Sequence, residues 1–143
     1  MSWNYKREEA KIFEELPEGN YRTVIESVEL AVSKRSGNNM FVIKMAVSGS
    51  TAHLWHYIPF LEDRPEVTNR MLTAFFDSFG IDEGDFNTAH YTGKAGGVHV
   101  KHDEEGRAKI SYLLTKDQQS KLPPWEGQLP NMSVDVVEDD IPF

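Results

Sequence analysis

The chain of 143 residues contains no cysteine, so disulfides, thiolate metal ligands and a cysteine nucleophile are all excluded. No apolar run is long enough to span a bilayer. The first eleven residues also lack the apolar segment that marks a signal peptide. We therefore expect a cytoplasmic protein, or one of the host cytoplasm if a phage encodes it, with no membrane partner.

Motifs for catalysis and nucleotide binding are also missing. The chain has no P-loop, no G-x-G-x-x-G and no G-x-S-x-G. Its acidic clusters at 62–63 and 103–105 have no phosphate-positioning motif beside them. The five histidines include two pairs with an x-x spacer, which on strands puts the members of a pair on opposite faces. The sequence thus predicts a non-enzymatic protein with no cofactor and no metal site.

Charge is unevenly distributed along the chain. The net charge is −8, yet four acids and no base lie from residue 131 onward. Residues 21–114 carry ten bases against twelve acids, so the body of the chain is close to neutral. The total charge therefore does not exclude nucleic acid as a partner, and the face on which the bases lie decides the question.

Hydrophobic periodicity predicts five strands, at residues 21–32, 40–47, 51–58, 96–101 and 107–114. Between the third and fourth strands, helical spacing predicts a helix over 66–79 that ends at Gly80. A short helix is also predicted over 8–16. The element order is that of an OB-fold, a five-stranded Greek-key barrel that often binds oligonucleotides. We therefore expect an all-β barrel with one helix.

Aromatic and cationic side chains fall on the outer face of the second and third predicted strands. Trp55 and Tyr57 lie opposite Leu54 and Ile58, and Lys44 lies opposite a row of apolar residues. Single-stranded nucleic acid needs flat apolar groups for its bases and cations for its phosphates. The alternative is that the linker or a second subunit covers the two aromatics. We expect the protein to be either a monomer or a homodimer.

Further bases are predicted at the rim of this face. Two lie in the turn after the first strand, and strict alternation in the last hairpin turns its odd-numbered residues outward. The candidate nucleic-acid-binding residues are Trp55, Tyr57, Lys44, Lys34, Arg35, Lys101, Arg107, Lys109 and Phe60. Phe60 either extends the stacking platform or closes the barrel.

Four short stretches of the chain carry a resemblance to a known family. They are LPEGNY at 16–21, SKRSGNNM at 33–40, GKAGGV at 93–98 and RAKISY at 107–112. Together they resemble a phage family of single-stranded DNA-binding proteins that was first described as a domain of unknown function. The resemblance implies an OB-fold, binding of single-stranded DNA without marked sequence preference, and a role in phage replication or recombination. Asn39 stands where that family often has proline.

The chain ends in an acidic run followed by Ile-Pro-Phe, which resembles the C-terminal tip of bacterial and phage single-stranded DNA-binding proteins. That resemblance implies docking of replication, recombination and repair proteins on Asp139, Asp140, Ile141, Pro142 and Phe143. Phe143 supplies an aromatic anchor together with the free carboxylate, and Pro142 restricts the backbone, which reduces the entropy lost on docking. The alternative is an ordinary solvated acidic tail.

The predicted organisation has four parts: an N-terminal extension at 1–19, an OB-fold domain at 20–114, a linker at 115–132 and a flexible acidic tail at 133–143. The predicted function is to coat and protect single-stranded DNA and to recruit partner proteins through the tail. The rival is an interaction adaptor whose barrel binds protein and has no physiological DNA binding. Salt-dependent retention on single-stranded DNA separates the two.

Overall fold

The computed structural model describes residues 16–127, in which five antiparallel strands form one curved sheet. The strands are β1 (Gly19–Val32), β2 (Asn39–Val47), β3 (His53–Pro59), β4 (Ala95–His102) and β5 (Ala108–Leu113). Their order across the sheet is β3-β2-β1-β4-β5. The edge strands β3 and β5 approach each other, so the sheet forms a nearly closed barrel. The OB-fold expected from the element order is confirmed.

One face of β2 and β3 fills the barrel. Phe41, Ile43 and Met45 on β2 are buried, as are Leu54 and Ile58 on β3. Successive residues of a strand point to opposite sides, so these buried positions leave the alternate ones on the outer surface. Complete burial of one such side chain contributes about 1.5–3 kcal/mol. The same alternation therefore stabilises the barrel and sets the residues of its outer face.

The main helix, α1 (Pro65–Phe79), closes one end of the barrel with an aromatic stripe. Pro65 suits the start of a helix because the first amide has no partner within the helix. Gly80 ends it in a left-handed conformation, φ 65°, with its amide donating to the Phe76 carbonyl. Phe75 and Phe79 are buried, their ring centroids 5.4 Å apart. The predicted helix and its end are confirmed.

Residues 115–127 belong to the predicted linker, and the structure places them against the barrel. They begin with the single-turn helix α2 (Lys116–Gln119), whose first turn is closed by a capping box between Thr115 and Gln118. The buried amide of Gln119 donates to the Ser78 carbonyl at 2.8 Å and to the Leu114 carbonyl at 2.9 Å. This amide ties α2 to both the end of α1 and the end of β5.

Arg22 on β1 holds the rest of this segment. Its guanidinium donates to the carbonyls of Gln119, Leu122 and Pro123 at distances from 2.9 to 3.2 Å. Farther along, the Gly49 amide donates to the Glu126 carbonyl at 2.9 Å. The segment is therefore anchored at both ends, and Arg22 uses its Nε and one Nη within the protein.

Several predicted features lie outside the described residues. They are the short helix over 8–16, apart from its last residue, and the tail residues Asp139, Asp140, Ile141, Pro142 and Phe143. Within residues 16–127, no helix is long and apolar enough to cross a membrane.

Candidate nucleic-acid interface

The outer face of β2 and β3 carries the two aromatic residues that strand alternation places there. Trp55 is 47% exposed and Tyr57 is 50% exposed. Lys44 pairs with Trp55 across the two strands, and its Nζ lies 6.0 Å from the centre of the indole ring. The three side chains form one surface with two aromatic rings and a cation.

A carboxylate borders this surface. Glu26 lies at the irregularity in the β1–β2 register, 3.8 Å from Lys44 Nζ and 3.2 Å from His53 Nε2. These pairs are partly exposed, and surface ion pairs contribute about 0–1 kcal/mol and are screened by salt. A phosphate can therefore compete with Glu26 for Lys44 at little energetic cost.

A groove runs along the gap between β3 and β5, where the barrel is not fully closed. It has a volume of about 640 Å³. Trp55 and Tyr57 line it from β3, and Arg107 and Lys109 line it from the β5 side. Two aromatic rings thus face two cations across the groove, which is the combination that single-stranded nucleic acid requires.

The cations of the last hairpin have acidic neighbours. Asp103 lies 4.0 Å from Arg107 Nε and 3.8 Å from Lys109 Nζ, and Glu105 also pairs with Arg107. Asp103 also stabilises the turn, because its Oδ1 accepts hydrogen bonds from the backbone amides of Glu105 and Arg107 at 2.9 Å. Arg107 and Lys109 remain largely exposed, so these pairs hold them only weakly.

His56 contributes a titratable group to the same groove. It pairs with the fully buried Ile43 and is itself partly buried on the inner side of β3. Burial lowers the pKa of His56 from 6.5 to about 4, because the charged imidazolium loses hydration there. The imidazole is therefore neutral near pH 7. The positive charge in the groove comes from Arg107 and Lys109.

Three candidates lie away from the groove. Lys34 and Arg35 are exposed in the turn between β1 and β2 and are not among the groove residues. Phe60 packs edge-on against Phe41, with ring centroids 5.0 Å apart, and joins the core. Of its two predicted roles, the structure places Phe60 in the one that closes the barrel.

Tyr112 is an exposed aromatic that alternation in β5 does not identify. The register of β4 and β5 shifts between His99 and Val100, so Tyr112 pairs with His99 while Lys109 pairs with Lys101. Ser111 is the extra residue on β5, because it has no partner on β4. Beyond it the alternation reverses, and the side chain of Tyr112 is 48% exposed. A bulge of this kind leaves no clear signal in a single sequence, which is why this residue was missed.

Lys101 is the remaining predicted cation, and it is exposed on β4 directly opposite Lys109. The structure thus brings Trp55, Tyr57, Lys44, Lys101, Arg107 and Lys109 to adjoining outer surfaces. Among residues 16–127, no group of three or more side chains is arranged to hold a metal ion.

The model of a family described as "Protein of unknown function (DUF669)" matches residues 3–118, which is most of the chain. No curated protein matches it.

Proposed function

Because the chain belongs to the DUF669 family, whose description assigns no activity, we propose a function from the site: the protein binds single-stranded DNA without marked sequence preference. The observation that carries this proposal is the groove between β3 and β5. Trp55 and Tyr57 line one of its sides, and Arg107 and Lys109 line the other. The protein acts by binding rather than by catalysis.

Stacking supplies the binding energy that does not depend on sequence. Every base has an aromatic face, so exposed rings accept all four bases, and each stacked base contributes about 1–3 kcal/mol. Trp55 and Tyr57 are each about half exposed on one strand face. Two bases can therefore be held next to each other without hydrogen bonds to their edges.

Phosphate contacts supply the salt-dependent part. Lys44 adjoins Trp55, and Arg107 and Lys109 lie across the groove. Carboxylates accompany all three cations, which lowers the positive potential when no DNA is bound. We expect phosphates to displace these carboxylates, giving affinity that falls as salt concentration rises.

The biological role follows from the sequence resemblance. The protein coats exposed strands during phage replication, recombination or repair, in the host cytoplasm, and protects them from nucleases and from refolding. Residues 139–143 recruit partner proteins to the coated strand, with Phe143 as the anchor.

The test is a fluorescence titration with single-stranded DNA, duplex DNA and single-stranded RNA at two salt concentrations. The chain has three tryptophans, Trp3, Trp55 and Trp125. We expect single-stranded DNA to quench the emission and duplex DNA to bind more weakly. A Trp55→Phe variant keeps a stacking ring, so it should bind a labelled oligonucleotide but lose most of the quenching.

A charge variant provides the second arm of this test. Replacing Lys44, Lys101, Arg107 and Lys109 by alanine should reduce the slope of log affinity against log salt, by about one unit or less per residue, for strands long enough to contact all four. No binding of single-stranded DNA by the parent at low salt would overturn the proposal and favour the adaptor. An unchanged slope in the fourfold variant would place the site elsewhere on the protein.

A further inference from the structure

The outer face of β4 and β5 carries a second aromatic platform. The rings of Tyr112 and His99 are stacked, with centroids 4.7 Å apart and an interplanar angle of 14°. His99 is held in place from β1, since its Nδ1 lies 2.6 Å from the Asn20 side-chain oxygen. Tyr112 nevertheless stays 48% exposed. His99 covers one face of the tyrosine ring, and the exposed part of the ring is available to accept a base.

Two lysines lie beside this platform in an arrangement that favours an anion. Lys101 and Lys109 are direct cross-strand partners on β4 and β5, and both are exposed. Like charges placed opposite each other destabilise a sheet. Lys109 is partly offset by Asp103 at 3.8 Å, but within residues 16–127 Lys101 forms no ion pair. A phosphate between the two ammonium groups would remove their repulsion and bind both.

The platform is continuous with the groove through one shared residue. Lys109 lines the groove that contains Trp55 and Tyr57, and it also pairs with Lys101 next to the Tyr112–His99 stack. A strand lying in the groove can therefore continue over β5 from Lys109 to Lys101.

We infer that bound single-stranded DNA extends from the groove across β5, with a further base stacked on Tyr112 and a phosphate held between Lys101 and Lys109. This inference rests on the proposed function and deepens it. It assigns a second subsite, defined by Tyr112, His99 and Lys101 and joined to the groove through Lys109, that only longer strands reach.

The test is a series of single-stranded oligonucleotides from about 4 to 16 nucleotides, the range of site sizes known for one OB-fold. Binding is measured for the parent, Tyr112→Ala, Tyr112→Phe and Trp55→Ala. We expect Tyr112→Ala to match the parent on the shortest strands and to bind the longest about tenfold more weakly. Tyr112→Phe, which keeps the ring, should follow the parent. Trp55→Ala should be weaker at every length.

Lys101→Ala gives an independent arm, because Lys101 is exposed and makes no ion pair within residues 16–127. It should lower the salt slope for long strands only. Thermal unfolding of each variant checks that the barrel is intact.

The outcomes separate the two proposals. If the parent binds but Tyr112→Ala and Lys101→Ala match it at all lengths, the second subsite is wrong and the groove stands. If Tyr112→Ala weakens even the shortest strands, Tyr112 belongs to the groove and the extension is wrong. If the parent binds no single-stranded DNA, both proposals fail. A length effect seen with RNA and absent with DNA would also overturn the assigned ligand.

Discussion

Trp55 and Tyr57 show how a strand uses its two faces for different purposes. Their neighbours Leu54 and Ile58 are buried in the barrel, whereas the two aromatics stay about half exposed. Exposed aromatic area on a strand gives the barrel little stability, so truncating these rings should leave the fold intact. Substitutions here therefore report on binding rather than on folding.

The first prediction concerns these rings. Trp55→Ala should weaken binding of single-stranded DNA by roughly tenfold or more, because stacking contributes about 1–3 kcal/mol per base. Tyr57→Ala should weaken it somewhat less. Fluorescence anisotropy of a labelled oligonucleotide measures both effects, with Trp55→Phe as a control that retains a ring. If both alanine variants are folded and bind like the parent, the proposed face is wrong.

The second prediction concerns His56 and acid stability. Burial lowers its pKa from 6.5 to about 4, so the unfolded chain takes up the proton first as pH falls through this window. Stability should therefore decline between these values, by up to about 3 kcal/mol from this group.

Chemical denaturation of the parent and His56→Gln from pH 7 to pH 4 measures this contribution. Glutamine stays neutral, so the variant should lose less stability over the window. The exposed His53→Gln serves as the matched control. Parallel stability curves for the parent and His56→Gln would contradict the assigned pKa.

At the scale of elements, the contact between α1 and β4 depends on two glycines. A Cβ at Gly96 would lie 2.6 Å from the Phe79 ring, and one at Gly97 would lie 2.9 Å from Gln119 Cγ. Gly96 and Gly97 therefore let β4 approach α1 and α2 closely. The GKAGGV stretch at 93–98 thus has a packing explanation that is independent of DNA.

The third prediction follows from this close approach. Gly96→Ala should destabilise the protein by about 1–3 kcal/mol or more, because the buried Phe79 ring must move to admit the methyl group. Denaturant unfolding measures the change. Ala95→Ser, at the exposed neighbouring position, is the control and should be nearly neutral. An unchanged midpoint for Gly96→Ala would mean that α1 is less tightly packed than described.

At the scale of the whole molecule, the anchored segment determines where the tail begins. Trp125, Glu126 and Gly127 line a cavity of about 820 Å³ together with Glu26 and His53. Glu26 and His53 also border the surface formed by Lys44 and Trp55. The chain beyond residue 127 therefore starts next to the proposed interface, and five residues separate Gly127 from the predicted tail at 133–143.

The fourth prediction concerns competition between the tail and DNA. Residues 131–143 carry four acids and no base, and a short tether keeps such a segment at roughly millimolar effective concentration. Removing residues 133–143 should strengthen DNA binding a few-fold at low salt. At high salt the effect should nearly vanish, because screening weakens the attraction between the acids of the tail and the cations Lys44, Arg107 and Lys109.

Affinities of the full-length and truncated proteins at two salt concentrations measure this effect. Deleting Phe143 alone is the matched control, since it leaves the acids in place and removes only the anchor. That variant should bind DNA normally and fail to capture a partner. Equal affinities of the full-length and truncated proteins at low salt would exclude the competition.

The sequence by itself determined the barrel, the helix and the outer positions of Trp55, Tyr57 and Lys44. These features depend on local periodicity, which each strand carries in its own residues. Only the tertiary structure decided which cations face the aromatics, because the β3–β5 gap joins residues about fifty positions apart. It also decided the exposure of Tyr112, since a bulge depends on how two strands pair. The docking of residues 115–127 likewise rests on Arg22, about a hundred positions away, and such long-range bonds leave no periodic pattern in the sequence.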